Sequence, residues 1–168
     1  MADQDPTPDH VSRIMAQWQR ERPDLDVSPM AVIGRLHRLA AALDAELRTV
    51  FAAEGLSDGE FDLLATLRRA GDPFELTPGE IAASTMVTSG AVTKRVDRLA
   101  RAGLVARAPS ASDGRSRRVR LTAEGRTLVD RVLERHLANE RRLLLGLDGR
   151  QRAQLARLLE EWGRALGV

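Results

Sequence analysis

The sequence predicts a mainly α-helical chain that carries one small β-hairpin. Apolar residues recur every three or four positions through most of the chain, and several of these stretches follow a serine, threonine or aspartate suited to a helix N-cap. Beyond residue 103 the pattern changes to a short apolar run, a turn-rich tip and an alternating return strand. With 43% hydrophobic residues among 168, the chain is long enough for one domain with its own core.

Two helices are expected before residue 55. Asp9 is a candidate N-cap for a helix that ends near residue 22. Ser28 and Pro29 form a second start signal, and this helix should reach about residue 54. Its apolar stripe is too long to be buried against one small domain, so we expect it in a dimer interface. The stripe consists of Ile33, Leu36, Leu39, Ala40, Leu43, Leu47, Val50 and Phe51.

The next three helices have recognisable start signals. Ser57 and Glu60 form a capping box that opens a helix over residues 58–70. Thr77 and Glu80 form another, for a short helix that ends near residue 84, and Thr88 can cap a helix that ends near residue 102, before a glycine. The short turn between these last two helices is typical of a helix-turn-helix. Residues 71–74 could hold a small strand.

The helix over residues 88–102 has two different sides. Val92, Val96 and Leu99 fall on one of them at about 100° per residue. The other side is polar and small near its start, so a backbone could approach it closely; it comprises Ser89, Thr93, Lys94 and Asp97. A slim helix followed by an arginine-tipped hairpin suits DNA, with the helix in the major groove and an arginine in the minor groove. The alternative is a charged, solvated hairpin in some other helical protein.

Two further helices complete the chain. Thr122 is a candidate cap for residues 123–145, and Asp148 with Gln151 for residues 149–166. The expected buried positions of the first are Leu128, Val132, Leu133, Leu137, Leu144 and Leu145. The apolar face of the second consists of Leu155, Leu158, Leu159, Trp162 and Leu166.

Composition narrows the function. Lysine and arginine together number 26 against 24 acidic residues, so the charge of the whole chain is nearly balanced. Basic residues exceed acidic ones within residues 88–122, and this local excess points to nucleic acid there. The absence of cysteine excludes disulfides and thiolate metal sites. No apolar run approaches a membrane span and no signal peptide follows Met1, so we expect a cytoplasmic protein without membrane contact.

No enzyme is expected. His10, His37 and His136 are scattered and lack metal-ligand spacing, and His37 is expected to be a packed or interface histidine. Nucleophile-elbow, phosphate-loop and dinucleotide motifs do not occur. We therefore predict no catalytic residue, no metal and no cofactor.

The segments MVTSGAVTKRVDRLARAGLV and SDGRSRRVRLTAEG resemble the recognition helix and wing of the MarR family of bacterial transcriptional regulators. The D-x-R…L-T pattern of that wing matches Asp113, Arg115, Leu121 and Thr122. The resemblance implies a dimeric winged helix-turn-helix protein, here with an extra N-terminal helix. It implies one domain over residues 1–168, with residues 9–54 and 123–168 for dimerisation and residues 57–122 as the DNA-binding lobe.

A set of candidate DNA contacts follows from position and from this resemblance. Ser89, Gly90, Thr93 and Lys94 would face the major groove. Arg98 and Arg101 could reach phosphates, and solvent exposure is the alternative for both. In the family the wing arginine enters the minor groove, which implies that role for Arg115, held in shape by Asp113. Arg117 beside it completes the set. The operator would be pseudo-palindromic, with half-sites about one helical turn apart.

Arg95 is the unusual residue of the recognition helix. It lies roughly 150° from the centre of the DNA side, next to Val92 and Leu99. An arginine that points inward needs a carboxylate, because an unpaired buried charge is costly. Arg95 would therefore pair with an acid on a neighbouring helix, or else extend its guanidinium to solvent.

The chain also resembles the urate-responsive subgroup of the family. The resemblance implies an effector site formed by Trp18, Asp62, Arg95 and Arg107. Trp18 offers a flat face and an N–H, and Arg107 a bidentate bond to a planar anion such as urate. In the hypothesis, ligand binding disturbs an Asp62–Arg95 pair and shifts the recognition helix. Alternatively, Trp18 anchors its helix, Asp62 is a solvated acid and Arg107 binds phosphate.

Three other functions remain open. The protein could be a repressor that responds to another small anion, phenolic or carboxylate. It could be an architectural DNA-binding protein without an effector, which would show weak sequence preference. An enzyme is the third alternative.

Overall fold

A computed structural model describes residues 7–85, 92–109 and 117–167, with the backbone alone at residues 109 and 117. The chain divides into two compact units, Met1–Glu46 and Leu47–Val168. The boundary falls within the second helix rather than in a linker.

The first unit holds α1 (His10–Glu21) and the start of α2 (Met30–Ala52). Asp9 is the N-cap of α1, as predicted, and its Oδ1 accepts a hydrogen bond from the backbone N of Ser12 at 2.7 Å. α1 packs closely on α2 at the buried Val11, since a Cβ on Gly34 would lie 3.2 Å from Val11 Cγ1. Both predicted helices are confirmed, and their ends differ from the expected ones by about two residues at most.

The second unit holds helices and a small sheet. In chain order its elements are α3 (Asp58–Arg69), β1 (Glu75–Leu76), α4 (Pro78–Ser84), α5 (Val92–Arg101), β2 (Val105–Pro109), β3 (Arg117–Leu121), α6 (Ala123–Leu143) and α7 (Gly149–Leu166). The predicted mainly helical fold with one small hairpin is confirmed. The predicted cap of α5, Thr88, lies outside the described residues.

Local capping sets the starts of these helices. Before α4, Glu80 Oε2 accepts from the backbone N of Thr77 at 2.7 Å, and Thr77 Oγ1 accepts from the backbone N of Glu80 at 3.2 Å. Asp148 and Gln151 exchange the same pair of bonds before α7, both at 2.8 Å. Each box satisfies two amide groups that the helix itself leaves without partners. These predicted starts are therefore confirmed.

The three strands form one antiparallel sheet in the order β1-β3-β2. Glu75 pairs with Arg120 at one edge, and Arg107 lies opposite Val119 at the other. The short strand begins at Glu75, just after the segment 71–74 in which the sequence allows a strand. Phe74 has a positive φ of 59° and its N–H bonds to Gly71 O at 2.6 Å, so that segment turns before the strand begins.

The core of the second unit surrounds α3. Leu63, Leu64 and Leu67 of α3 are at most 1% exposed, and Val129 and Val132 of α6 are fully buried. α6 approaches the sheet without a side chain in between, since a Cβ on Gly125 would lie 2.0 Å from the carbonyl oxygen of Leu104. This contact places the start of α6 directly against the start of the hairpin.

Several leucines that the sequence predicts to be buried are exposed in the single chain. Leu133 is 37% exposed and Leu145 74%, although Val132 beside Leu133 is buried as predicted. No residue of α7 is buried. The remaining exposed apolar side chains on α2, α6 and α7 include Ile33, Leu36, Leu39, Leu43, Leu137, Leu144, Leu155, Leu158, Leu159 and Leu166. The helical period identifies an apolar side correctly, but no described part of one chain covers these positions.

Candidate nucleic-acid interface

α5 has the two-sided character that the sequence predicts. Val92, Val96 and Leu99 are 4%, 3% and 1% exposed and join the core. Thr93 and Lys94 are both exposed. A helix held by one side and open on the other can present its open side to a groove.

Part of the predicted DNA contact set lies outside the described residues. This holds for Ser89, Gly90, Asp113 and Arg115, while Arg117 is described only as a position in β3. Their proposed contacts stay predictions. Arg101 is described, is exposed, and donates from Nε to the carbonyl oxygen of Asp97 at 3.3 Å.

Arg98 is already engaged by protein groups. Its Nε lies 3.0 Å from Glu60 Oε1, and its Nη2 donates to the carbonyl oxygen of Gly55 at 3.1 Å. The Glu60 side chain is 3% exposed, so this arginine is the counter-ion of a buried carboxylate. The phosphate contact predicted for Arg98 would compete with these two bonds.

Two arginines of β3, Arg118 and Arg120, share the carboxylate of Glu75 in β1. Arg120 contacts Glu75 Oε2 through Nε at 2.8 Å and Nη2 at 2.7 Å. Arg118 Nε lies 3.2 Å from Glu75 Oε1, outside hydrogen-bonding geometry, and its Nη2 lies 3.8 Å from Glu80 Oε2. Hydrogen bonds from Thr77 and the nearby Arg118 charge lower the pKa of Glu80 below its usual value. These contacts join β3 to β1 and α4, the strand and helix that precede α5.

Arg107 also has an acidic partner. It lies on β2, and its Nη2 hydrogen-bonds Asp97 Oδ1 of α5, with both side chains partly exposed. The helical period places Asp97 on the polar side of α5, where it would face DNA or solvent.

Arginines within residues 88–122 thus pair with carboxylates from α3, β1 and α5. A charge count limited to residues 88–122 misses Glu60 and Glu75, although cross-strand register could have pointed to Glu75.

The residues of the predicted effector site are distributed over both units. Trp18 lies on α1 of the first unit and is 45% exposed. In the second unit, the guanidinium of Arg95 lies against Gly59 of α3, where a Cβ would be 2.4 Å from its Cζ. Its Nη1 is buried and has no hydrogen-bond partner among the described residues. Asp62 lies three residues beyond Gly59, hence on the same side of α3, and its Oδ1 is 3.9 Å from Arg69 Nη1.

Histidines and acids do not gather into a metal cluster in the part of the chain that the structure describes. Within residues 7–85, 92–109 and 117–167, no group of three or more His, Asp or Glu side chains could hold a metal ion. His136 packs against the stacked rings of Phe51 and Phe61, with ring centroids 5.1 and 5.4 Å away, whereas His37 is exposed. In those same ranges, no helix has the length and apolar character needed to cross a bilayer.

Comparison with known proteins identifies the family. A profile described as MarR family matches residues 54–116. The chain is 45% identical over 149 residues to the HTH-type transcriptional regulator PecS of Dickeya dadantii, a match that covers 89% of this chain and 90% of that protein.

Solved structures agree with this match. Sco5413, a MarR family transcriptional regulator from Streptomyces coelicolor, superposes with a TM-score of 0.70 at 29% identity, over 84% of this chain and 97% of that one. The Mycobacterium tuberculosis MarR family protein Rv2887, in complex with salicylic acid, has a TM-score of 0.61 at 34% identity, over 78% of this chain and 96% of that one. These relatives are regulators and not enzymes. By its α4–α5 pair, its small wing and this similarity, the chain belongs to the MarR family of DNA-binding transcriptional regulators.

Proposed function

We propose that the protein is a homodimeric repressor that binds a pseudo-palindromic operator and is released by a planar anion. The observation that carries the DNA-binding part is the open side of α5, with Thr93 and Lys94 opposite a buried side. Thr93, Lys94 and Arg101 would contact DNA together with Ser89, Gly90, Asp113, Arg115 and Arg117. Arg98 would join them only if it left Glu60.

The homodimer is supported by apolar surface. Exposed leucines follow α2, α6 and α7, and α7 buries none of its described residues within one chain. A second copy offers the same surfaces, so two chains can cover each other by a twofold axis. In this proposal residues 9–54 and 123–168 dimerise, and residues 57–122 bind DNA.

Urate is the proposed effector, at a site formed by Trp18, Asp62, Arg95 and Arg107. The support is chemical: Arg95 has a buried N–H group without a partner among the described residues, and Arg107 has a partly exposed guanidinium. Both are suited to the oxygen atoms of a flat anion. Asp62 would sense the charge of the ligand, and a changed interaction between Asp62 and Arg95 would shift α5.

A second effector class is a phenolic or carboxylate anion. It is favoured by the salicylic acid complex of Rv2887, a relative 34% identical to this chain. The same two arginines can receive a carboxylate. An effector-independent architectural protein is the remaining alternative.

The experiment is a gel-shift titration on the intergenic DNA upstream of the protein's own gene. Urate is compared with xanthine and salicylate. Release by urate alone supports the proposed effector, and release by salicylate supports the second class. Specific binding that no anion reverses contradicts the effector proposal and keeps the DNA-binding one. Binding without sequence preference favours the architectural alternative.

A further inference from the structure

Glu60 joins two helices through one buried carboxylate. Its Oε2 accepts hydrogen bonds from the backbone N and from Oγ of Ser57, both at 2.8 Å, at the start of α3. Its Oε1 lies 3.0 Å from Nε of Arg98 on α5. One carboxylate oxygen therefore completes the cap of α3, while the other reaches the recognition helix.

The same turn of α3 receives a second arginine of α5. The guanidinium of Arg95 lies against Gly59, where a Cβ would be 2.4 Å from its Cζ, so any larger residue would displace it. Arg95 and Arg98 are three residues apart and therefore neighbours on one side of α5. The recognition helix is held at two successive points on the first turn of α3.

We propose that Glu60 is a positioning residue that sets the selectivity of DNA binding through Arg98. It fixes the orientation of α5 and keeps the Arg98 guanidinium away from the phosphates. Specific contacts depend on orientation, whereas non-specific binding depends on the number of available cations. Glu60 therefore raises the ratio of operator affinity to non-specific affinity. This inference rests on the operator binding proposed above.

The first test is the substitution Glu60→Gln. Glutamine can still accept from Ser57 in a capping box, so the change mainly removes the charge that holds Arg98. Operator affinity is expected to fall and affinity for unrelated duplex DNA to rise, which lowers their ratio by about fivefold or more. The slope of log affinity against log salt should steepen by about one unit as Arg98 becomes available to phosphates.

Asp58→Asn is the matched control. Asp58 lies in the same turn and loses the same charge, but it pairs with Arg48, at 2.9 Å, and not with α5. The affinity ratio of this variant should remain at the wild-type value. An equal loss of ratio in both variants would show a general charge effect and overturn the inference.

Arg98→Gln tests the link from its exposed end and does not depend on the folding of a core variant. If Arg98 positions α5, operator affinity falls while the non-specific affinity and its salt slope stay unchanged. If Arg98 instead binds a phosphate, both affinities fall and the salt slope decreases by about one unit, which overturns the inference. The double variant should have the ratio of Arg98→Gln alone, because Glu60 acts through Arg98.

Two further outcomes are decisive. A wild-type protein without operator preference would overturn the proposed function together with this inference. A selective wild type with an equally selective Glu60→Gln variant would overturn the inference alone.

Discussion

The guanidinium of Arg35 forms a bidentate pair with the carboxylate of Asp9, with Nε 2.8 Å from Oδ2 and Nη2 3.0 Å from Oδ1. The same carboxylate caps α1 through the backbone N of Ser12. One side chain therefore both starts α1 and ties it to α2.

These bonds predict a pH dependence for the first unit. The backbone bond from Ser12 and the bond from Arg35 lower the pKa of Asp9 from 3.8 to about 2. Because the pKa is lower in the folded chain, the stabilisation is present above the ordinary value and is lost as the pH falls through about 2. Protection of α1 amides from hydrogen exchange should fall over this range, and Asp9→Ala, which can accept from neither Ser12 nor Arg35, should have low protection throughout. Asp24→Asn, which removes only a local pair with Arg22, should behave like the wild type.

Gly125 predicts a large effect on stability. A Cβ there would lie 2.0 Å from the carbonyl oxygen of Leu104, which belongs to the backbone and cannot move without the hairpin. Gly125→Ala should destabilise the protein by about 3 kcal/mol, measured by denaturant unfolding. Gly149→Ala is the control, because a Cβ there meets no atom within 4 Å. A comparable loss of unfolding free energy in the two variants would show that the close contact of Gly125 with Leu104 is not the cause.

The exposed face of α7 predicts the assembly state. Leu159 is 44% exposed in the single chain, and a second copy would cover it in the proposed dimer. Leu159→Glu should shift sedimentation toward the monomer and weaken operator binding at least about tenfold, because each half-site alone binds weakly. Gln154→Glu introduces the same charge at another exposed position of α7 and should leave the dimer intact. A dimeric Leu159→Glu variant would place the interface elsewhere.

Two similar substitutions, Arg115→Ala and Arg120→Ala, are expected to differ in their effect on operator binding. Arg115→Ala should weaken operator binding about tenfold or more, if this residue enters the minor groove as proposed. Arg120→Ala should change it much less, because Glu75 already holds both Nε and Nη2 of that arginine. Fluorescence anisotropy with operator DNA measures both. Unchanged affinity of Arg115→Ala would refute its role.

Loss of the Asp62 charge is predicted to uncouple anion binding from the release of DNA. Asp62→Asn should bind the operator but resist release by the anion that releases the wild type, because the negative charge that would respond to the ligand is gone. Asp58→Asn, on the same helix, should respond like the wild type. The concentration of anion that releases half of the DNA measures the coupling. A normal response of Asp62→Asn would show that this residue is not the relay.

Helix starts were predictable because their signals are local. The Thr77–Glu80 and Asp148–Gln151 boxes lie within four residues of sequence, and the bonds form as the pattern indicates. The two sides of α5 were predictable for the same reason, since helical period alone separates Val96 from Lys94.

Contacts between distant elements were not predictable in this way. Glu60 meets Arg98, and Glu75 meets Arg120, only after the chain has folded, so neither pair leaves a local pattern. Periodicity also could not decide what covers an apolar face. Leu133 and Leu137 follow the helical period correctly, yet both are exposed in a single chain.

Lys94 is the one lysine in the 168 residues, and it lies on the open side of α5. Acylating reagents react with unprotonated amines and leave guanidinium groups intact, so their only lysine target is the proposed DNA-reading surface. Once the α-amino group of the chain is blocked, an amine-directed fluorophore would therefore report from that surface without any engineered cysteine. Enzymes that acetylate lysine would likewise find one side chain here, and its neutralisation would remove a cation from the helix that is proposed to enter the groove.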